Sequence, residues 1–100
     1  MPKIYDYLGI VFLFYSNEHE PIHVHARCGD CETIFVVIFE NGVLQKVESC
    51  ASKGFDSLPP AKYREAKDFV EKNAYSIAIK WHKAFVLKEK IICEEITKKI

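Results

Sequence analysis

The chain has no long apolar stretch, no net charge and little glycine or proline. Ile10-Val11-Phe12-Leu13-Phe14-Tyr15 and Ile34-Phe35-Val36-Val37-Ile38-Phe39 are runs of only six apolar residues each. A run that short cannot span a bilayer, and no secretory leader opens the sequence, so a cytosolic location without a membrane is expected. The 14 basic and 14 acidic side chains cancel, which removes the global field that draws a protein to nucleic acid. Local basic patches remain, with Lys80, Lys83, Lys88 and Lys90 close together, although a solvated helix surface accounts for them better. Four glycines among 100 residues leave no phosphate-binding Gly-rich loop, nucleophile elbow or dinucleotide fingerprint. In a cytosolic setting the four cysteines are expected to be reduced.

What is present is globular: 49% hydrophobic and 28% charged residues, in a length that suits a single domain over 1–100 with one modest core. Turn signals organise it. Gly9 to Tyr15 is aromatic and β-branched and reads as a strand, buried on both faces. Ile22 to Cys28, Cys31 to Glu40 and Val43 to Glu48 read as further strands. Gly29-Asp30 and Asn41-Gly42 supply the two-residue hairpin turns between them. Pro59-Pro60 marks a helix start, followed by a stripe of Ala61, Ala66, Phe69 and Val70, with Asn73 ending or bending the helix. Ile77, Trp81, Ala84 and Phe85 define a second helix. Ile92, Ile96 and Ile100 recur every fourth residue and predict helix for the tail; Ile91-Ile92-Cys93 as a short strand is the alternative. The expected fold is α+β: an antiparallel meander of three or four strands, then two or three helices packed on it.

The first of these hairpins fixes a register. With Cys28 opposite Cys31, Arg27 faces Glu32, His25 faces Ile34 and His23 faces Val36. Arg27 and Glu32 make a favourable cross-strand charge pair. Alternation then places His23, His25 and Arg27 on one face with Ile34, Val36 and Ile38, and Val24, Ala26, Cys28, Phe35, Val37 and Phe39 on the main core face.

Three of the four histidines fall in Asn17-Glu18-His19-Glu20-Pro21-Ile22-His23-Val24-His25. His23 and His25 project to one side of a strand, and His19 precedes them on a loop that could fold over. Three converging imidazoles suit a zinc ion with an open position for water. They also suit acid–base chemistry, because imidazole titrates near neutral pH, with Glu18 as a carboxylate that binds or orients. Polar decoration of a strand and turn is the third option. Cys28-Gly29-Asp30-Cys31 is a C-x2-C without a second pair, flanking a hairpin rather than opening a helix. It reads better as two small residues beside a turn than as a metal knuckle or redox motif. Trp81 reads as a core anchor that would wall the pocket if the helices cover the histidine face.

Gly9-Ile10, Phe14-Tyr15, His19-x-Pro21-x-His23-Val24-His25-Ala26 and Gly29-Asp30 together resemble a bacterial and archaeal family known as domain-of-unknown-function family 4160. Leu58-Pro59-Pro60, the helix after it and Trp81 fit the same pattern, so the resemblance covers roughly residues 1–85 and leaves 86–100 as an extension. Glu18 stands where the family tends to have Asn or Asp, and Ile22 where it has a second Pro. The resemblance implies a partner protein of domain-of-unknown-function family 2442, encoded nearby, in toxin–antitoxin modules. The site expected from these readings comprises His19, His23, His25 and Arg27, with Glu18, Ile34, Val36 and Trp81 lining it. Its activity as an enzyme would be RNA cleavage. Zinc binding by His19, His23 and His25, or non-catalytic docking of a partner on the Ile34, Val36 and Ile38 face, are the alternatives. An exposed sheet edge would also allow a homodimer.

Overall fold

A computed structural model describes residues 3–15 and 21–99. The fold is α+β; the described residues form a mixed sheet of six strands with two helices. The strands are β1 (Lys3–Tyr7), β2 (Ile10–Leu13), β3 (His23–Cys28), β4 (Cys31–Glu40), β5 (Val43–Ala51) and β6 (Glu94–Ile96); the helices are α1 (Pro60–Lys72) and α2 (Ala74–Phe85). Spatial order across the sheet is β5-β4-β3-β2-β1-β6. The first five strands form the antiparallel meander, and β6 closes the far edge by pairing parallel to β1.

The two predicted turns set the centre of the sheet. Gly29 at φ +60° and the pair Asn41 (φ +53°) and Gly42 (φ +79°) take the left-handed backbone these two-residue turns require. The β3–β4 register is the expected one, from His23 opposite Val36 to Cys28 opposite Cys31. β5 runs three residues beyond the predicted Glu48, to Ala51.

Two strands differ from expectation. Gly9 is not a strand residue but the second residue of a turn with Leu8, which itself sits at φ +49°. That turn leads back from β1, a strand that precedes the first predicted one. The C-terminal segment is not helical. Lys88 at φ +57° interrupts any continuation of α2, and Glu94–Ile96 pairs with Tyr5–Tyr7 instead. Open backbone donors and acceptors on the β1 edge outweigh the four-residue periodicity of the isoleucines. The alternative strand position, Ile91–Cys93, falls just short of the observed one.

Both helices cover one face of the sheet. Pro60 occupies the first turn of α1, where a missing N–H costs nothing. Asn73 divides the helices: its side-chain amide and its backbone N–H both donate to the Phe69 carbonyl, at 2.9 and 3.0 Å. Phe69 is the centre of the core, with Tyr7, Phe12 and Tyr5 rings at 4.6, 4.7 and 5.0 Å. Val24, Ala26, Phe35 and Val37 complete this face from β3 and β4. Tyr63 and Tyr75 tie the helices to β5, through Ser49 Oγ at 2.7 Å and the Leu44 N–H at 2.9 Å. No helix among the described residues is long and apolar enough to cross a membrane.

Candidate functional site

The opposite face of the sheet carries the histidines. Strand pairing places Val11, Leu13 and Tyr15 from the β2 side, His23, His25 and Arg27 from β3, and Glu32, Ile34, Val36 and Ile38 from β4 on this side. Glu32 is its hub. A glutamate is a poor strand former and an unfavourable residue to bury, yet Glu32 has no solvent exposure at all. Four side chains compensate it. Arg27 Nε donates to Oε1 at 3.0 Å, and Nη2 forms an ion pair with the same oxygen at 2.8 Å. Tyr15 Oη lies 2.8 and 2.7 Å from the two carboxylate oxygens and shares its proton between them. His25 Nδ1 donates to Oε2 at 3.1 Å, and Ser52 Oγ donates to the same oxygen. Arg27 Nη2 also donates to Tyr15 Oη at 2.9 Å, so two of the partners are themselves joined.

Geometry explains the electrostatics. Burial alone pushes the Glu32 carboxyl up, but the hydrogen bonds from Ser52, Tyr15, His25 and Arg27 outweigh it and hold the group below the ordinary carboxylate range. Glu32 is therefore an anion. Burial and the adjacent Glu32 charge push the Tyr15 hydroxyl up, so it stays a donor. Desolvation works against the Arg27 charge, and contact with Glu32 more than restores it.

An anionic carboxylate only accepts hydrogen bonds, so the proton of neutral His25 sits on Nδ1 and its lone pair on Nε2. The same reasoning holds for His23, whose Nδ1 lies 2.7 Å from the Pro21 carbonyl oxygen. Both rings are thus fixed in one tautomer. They stand 5.5 Å apart, edge to face. Tyr15 stacks flat on His25 with centroids 3.9 Å apart and planes within 6°. His25 is buried and His23 half-buried, while the Arg27 side chain keeps 30% exposure and lies over the Phe55 ring.

Of the residues expected at the site, the structure brings His23, His25, Arg27, Ile34 and Val36 onto one surface, the last two half-exposed. It does not bring Trp81 there. Trp81 packs on Phe85 among the buried residues of α2, on the opposite side of the sheet. The helices cover the core face, so Trp81 cannot wall a pocket at the histidines. His19 and Glu18 lie outside the described residues. Among the described residues no three His, Cys, Asp or Glu side chains group as a metal site; the zinc set expected from the sequence depends on His19.

Sequence reasoning did not place Glu32, Tyr15 or Ser52 at the site. For Glu32 the signal was present: an acidic residue beside a β-branched and aromatic run, directly opposite Arg27. Tyr15 and Ser52 reach it from 17 and 20 residues away, and no local pattern announces such contacts.

No protein of curated function and no solved structure matches the chain. The sequence model of one family, a domain of unknown function designated DUF4160, matches residues 9–82. The chain belongs to this family, and the matched span contains His23, His25, Arg27, Glu32, all of α1 and α2 as far as His82.

Proposed function

We propose that this member of the DUF4160 family is a cytoplasmic, toxin–antitoxin-associated protein whose histidine face cleaves RNA by proton transfer. The observation that carries the reading is the pair formed by His25 and the buried Glu32 anion. A buried carboxylate on Nδ1 orients an imidazole and faces the positive charge it acquires when Nε2 takes a proton. His23, held by a carbonyl, supplies a second imidazole at 5.5 Å.

In the reaction one imidazole removes the 2′-hydroxyl proton and the 2′-oxygen attacks phosphorus. The other imidazole donates a proton to the 5′-oxygen as the P–O bond breaks. The products are a 2′,3′-cyclic phosphate and a free 5′-hydroxyl, with no external reactant. Arg27 would stabilise the charge on the phosphorane. His19, with Glu18, is the sequence neighbour that would join this set.

Purified protein and its H23A and H25A variants should be assayed on an RNA oligonucleotide and on the same strand with 2′-deoxy sugars. The expected result is cleavage of RNA only, reduced on the order of 10²-fold or more by either substitution. Equal cleavage by wild type and variants, or none by wild type, would remove the proposal.

Zinc binding is a second reading, supported by one specific observation. Both Nδ1–H groups are fixed on oxygen acceptors, as they are in imidazoles that bind metal through Nε2. The ion would supply a polarised water. Elemental analysis of untagged protein against a His19, His23 and His25 triple alanine variant tests it: near-stoichiometric metal lost in the variant supports the ion, and none in either protein rejects it. In both readings a partner protein of the family-2442 type would cover half-exposed Ile34, Val36 and Ile38, and with them the histidines.

A further inference from the structure

The C-x2-C pair takes no part in the histidine chemistry, yet its placement is specific. Cys28 and Cys31 are direct partners in the β3–β4 register, separated only by the Gly29-Asp30 turn. Directly opposed residues of an antiparallel pair project to the same side, with Cβ atoms roughly 4.5–5.5 Å apart. Their Cα separation in either kind of antiparallel rung, about 4.5–5.5 Å, falls within the range a disulfide spans, while a disulfide holds Cβ atoms about 3.5–4.5 Å apart, so closing the bond draws the two side chains together by up to about 1 Å and strains it toward easy reduction. Both are free thiols, and both are half-buried against the core cluster. A small oxidant can therefore reach them, while they remain held side by side. Cys50 and Cys93 are exposed, and neither is in register with the pair.

We propose that Cys28 and Cys31 are a reversible dithiol–disulfide couple that clips the β3–β4 hairpin beside the histidine site. The oxidant is a low-molecular-weight disulfide of the glutathione type. One cysteine thiolate attacks it, forming a mixed disulfide and releasing one small thiol. The second cysteine then attacks the mixed disulfide sulfur on the first, releasing the other small thiol. Two thiols of the protein become one disulfide, and one small disulfide becomes two thiols. The ring closes over only two intervening residues, so it removes little freedom from the unfolded chain and is easily reduced again. This suits a switch rather than a permanent staple.

The bond lies one rung from Arg27 and Glu32. The same end of β4 is fixed from its other side, where the Glu32 N–H donates to the Asp56 carbonyl at 2.9 Å and Cys31 bridges to Asp56. A crosslink at the neighbouring rung acts directly on the strands that hold the buried carboxylate.

The test uses the reduced full chain, incubated with oxidised glutathione at neutral pH and quenched by thiol alkylation. Cleavage on the N-terminal side of Asp30 separates the two cysteines unless they are linked. The expected result is a pair of fragments joined until dithiothreitol is added, with a joined mass about 2 Da below the sum of the two fragments carrying free thiols. The C50S/C93S variant should behave identically, and C28S should instead retain glutathione on Cys31. Persistent glutathione on both Cys28 and Cys31 of the wild type, or links confined to Cys50 and Cys93, would overturn the proposal. So would a joined product that dithiothreitol does not separate.

Discussion

The two faces of this sheet are built from alternate residues of the same strands, yet they cohere by different physics. On the helix side Phe69 gathers Tyr5, Tyr7 and Phe12, and burial of apolar surface does the stabilising. On the histidine side the most buried residue of β4 is an anion, compensated by Arg27, Tyr15, His25 and Ser52. The apolar face is indifferent to pH and to the identity of any one polar group. The polar face holds only while each partner of Glu32 is present and the carboxyl is ionised. A protein does not need that arrangement for stability, since a hydrophobic replacement for a buried ion pair is often neutral or better.

Three substitutions sharpen this contrast. The largest effect is expected from F69A, which empties the centre of the apolar face; a loss of about 3–5 kcal/mol should be read from urea unfolding at neutral pH. It should be equally large at acidic pH. E32Q comes next. It leaves Arg27 without its counter-charge and should cost about 2–4 kcal/mol at neutral pH. That cost should depend on pH. A carboxyl held below its ordinary value of 4.5 contributes stability that is fully present above that value and lost as pH falls through the depressed folded value. The gap between E32Q and wild type should therefore close in acid, and a gap that stays constant from neutral to acid would contradict an ionised Glu32. V36T should have the smallest effect. Val36 is half-exposed on the histidine face, and less than about 1 kcal/mol is expected. A much larger loss there would mean that this surface is packed as tightly as the helix side.

Much of the sheet was legible because short turns set register. Gly29-Asp30 and Asn41-Gly42 left few ways to pair β3, β4 and β5, and the cross-strand match of Arg27 with Glu32 selected among them. The separation of faces followed from alternation, and with it the grouping of His23, His25 and Arg27. What was not legible depends on distant parts of the chain. The pairing of Glu32 with Arg27 is written in the strand register, but the contacts from Tyr15 and Ser52 that complete its burial come from distant parts of the chain. The Ile92 and Ile96 spacing favours helix locally, but a free β1 edge decides otherwise. Leu8 gave no turn signal, because a leucine at positive φ is the exception that Gly9 beside it makes tolerable.

The parallel pairing of β1 with β6 bears on how the chain assembles. Tyr5 meets Glu94 across almost the whole sequence, whereas the β3–β4 and β4–β5 hairpins close over two residues each. Closing so long a loop is an entropic cost that only a largely assembled sheet can offset. β6 should therefore be the last strand to dock and the first to release, with the fastest amide exchange in the sheet. When it lifts, the β1 edge is bared. The brief lifetime of that open edge, rather than the global stability of the core, would then set how readily the protein aggregates.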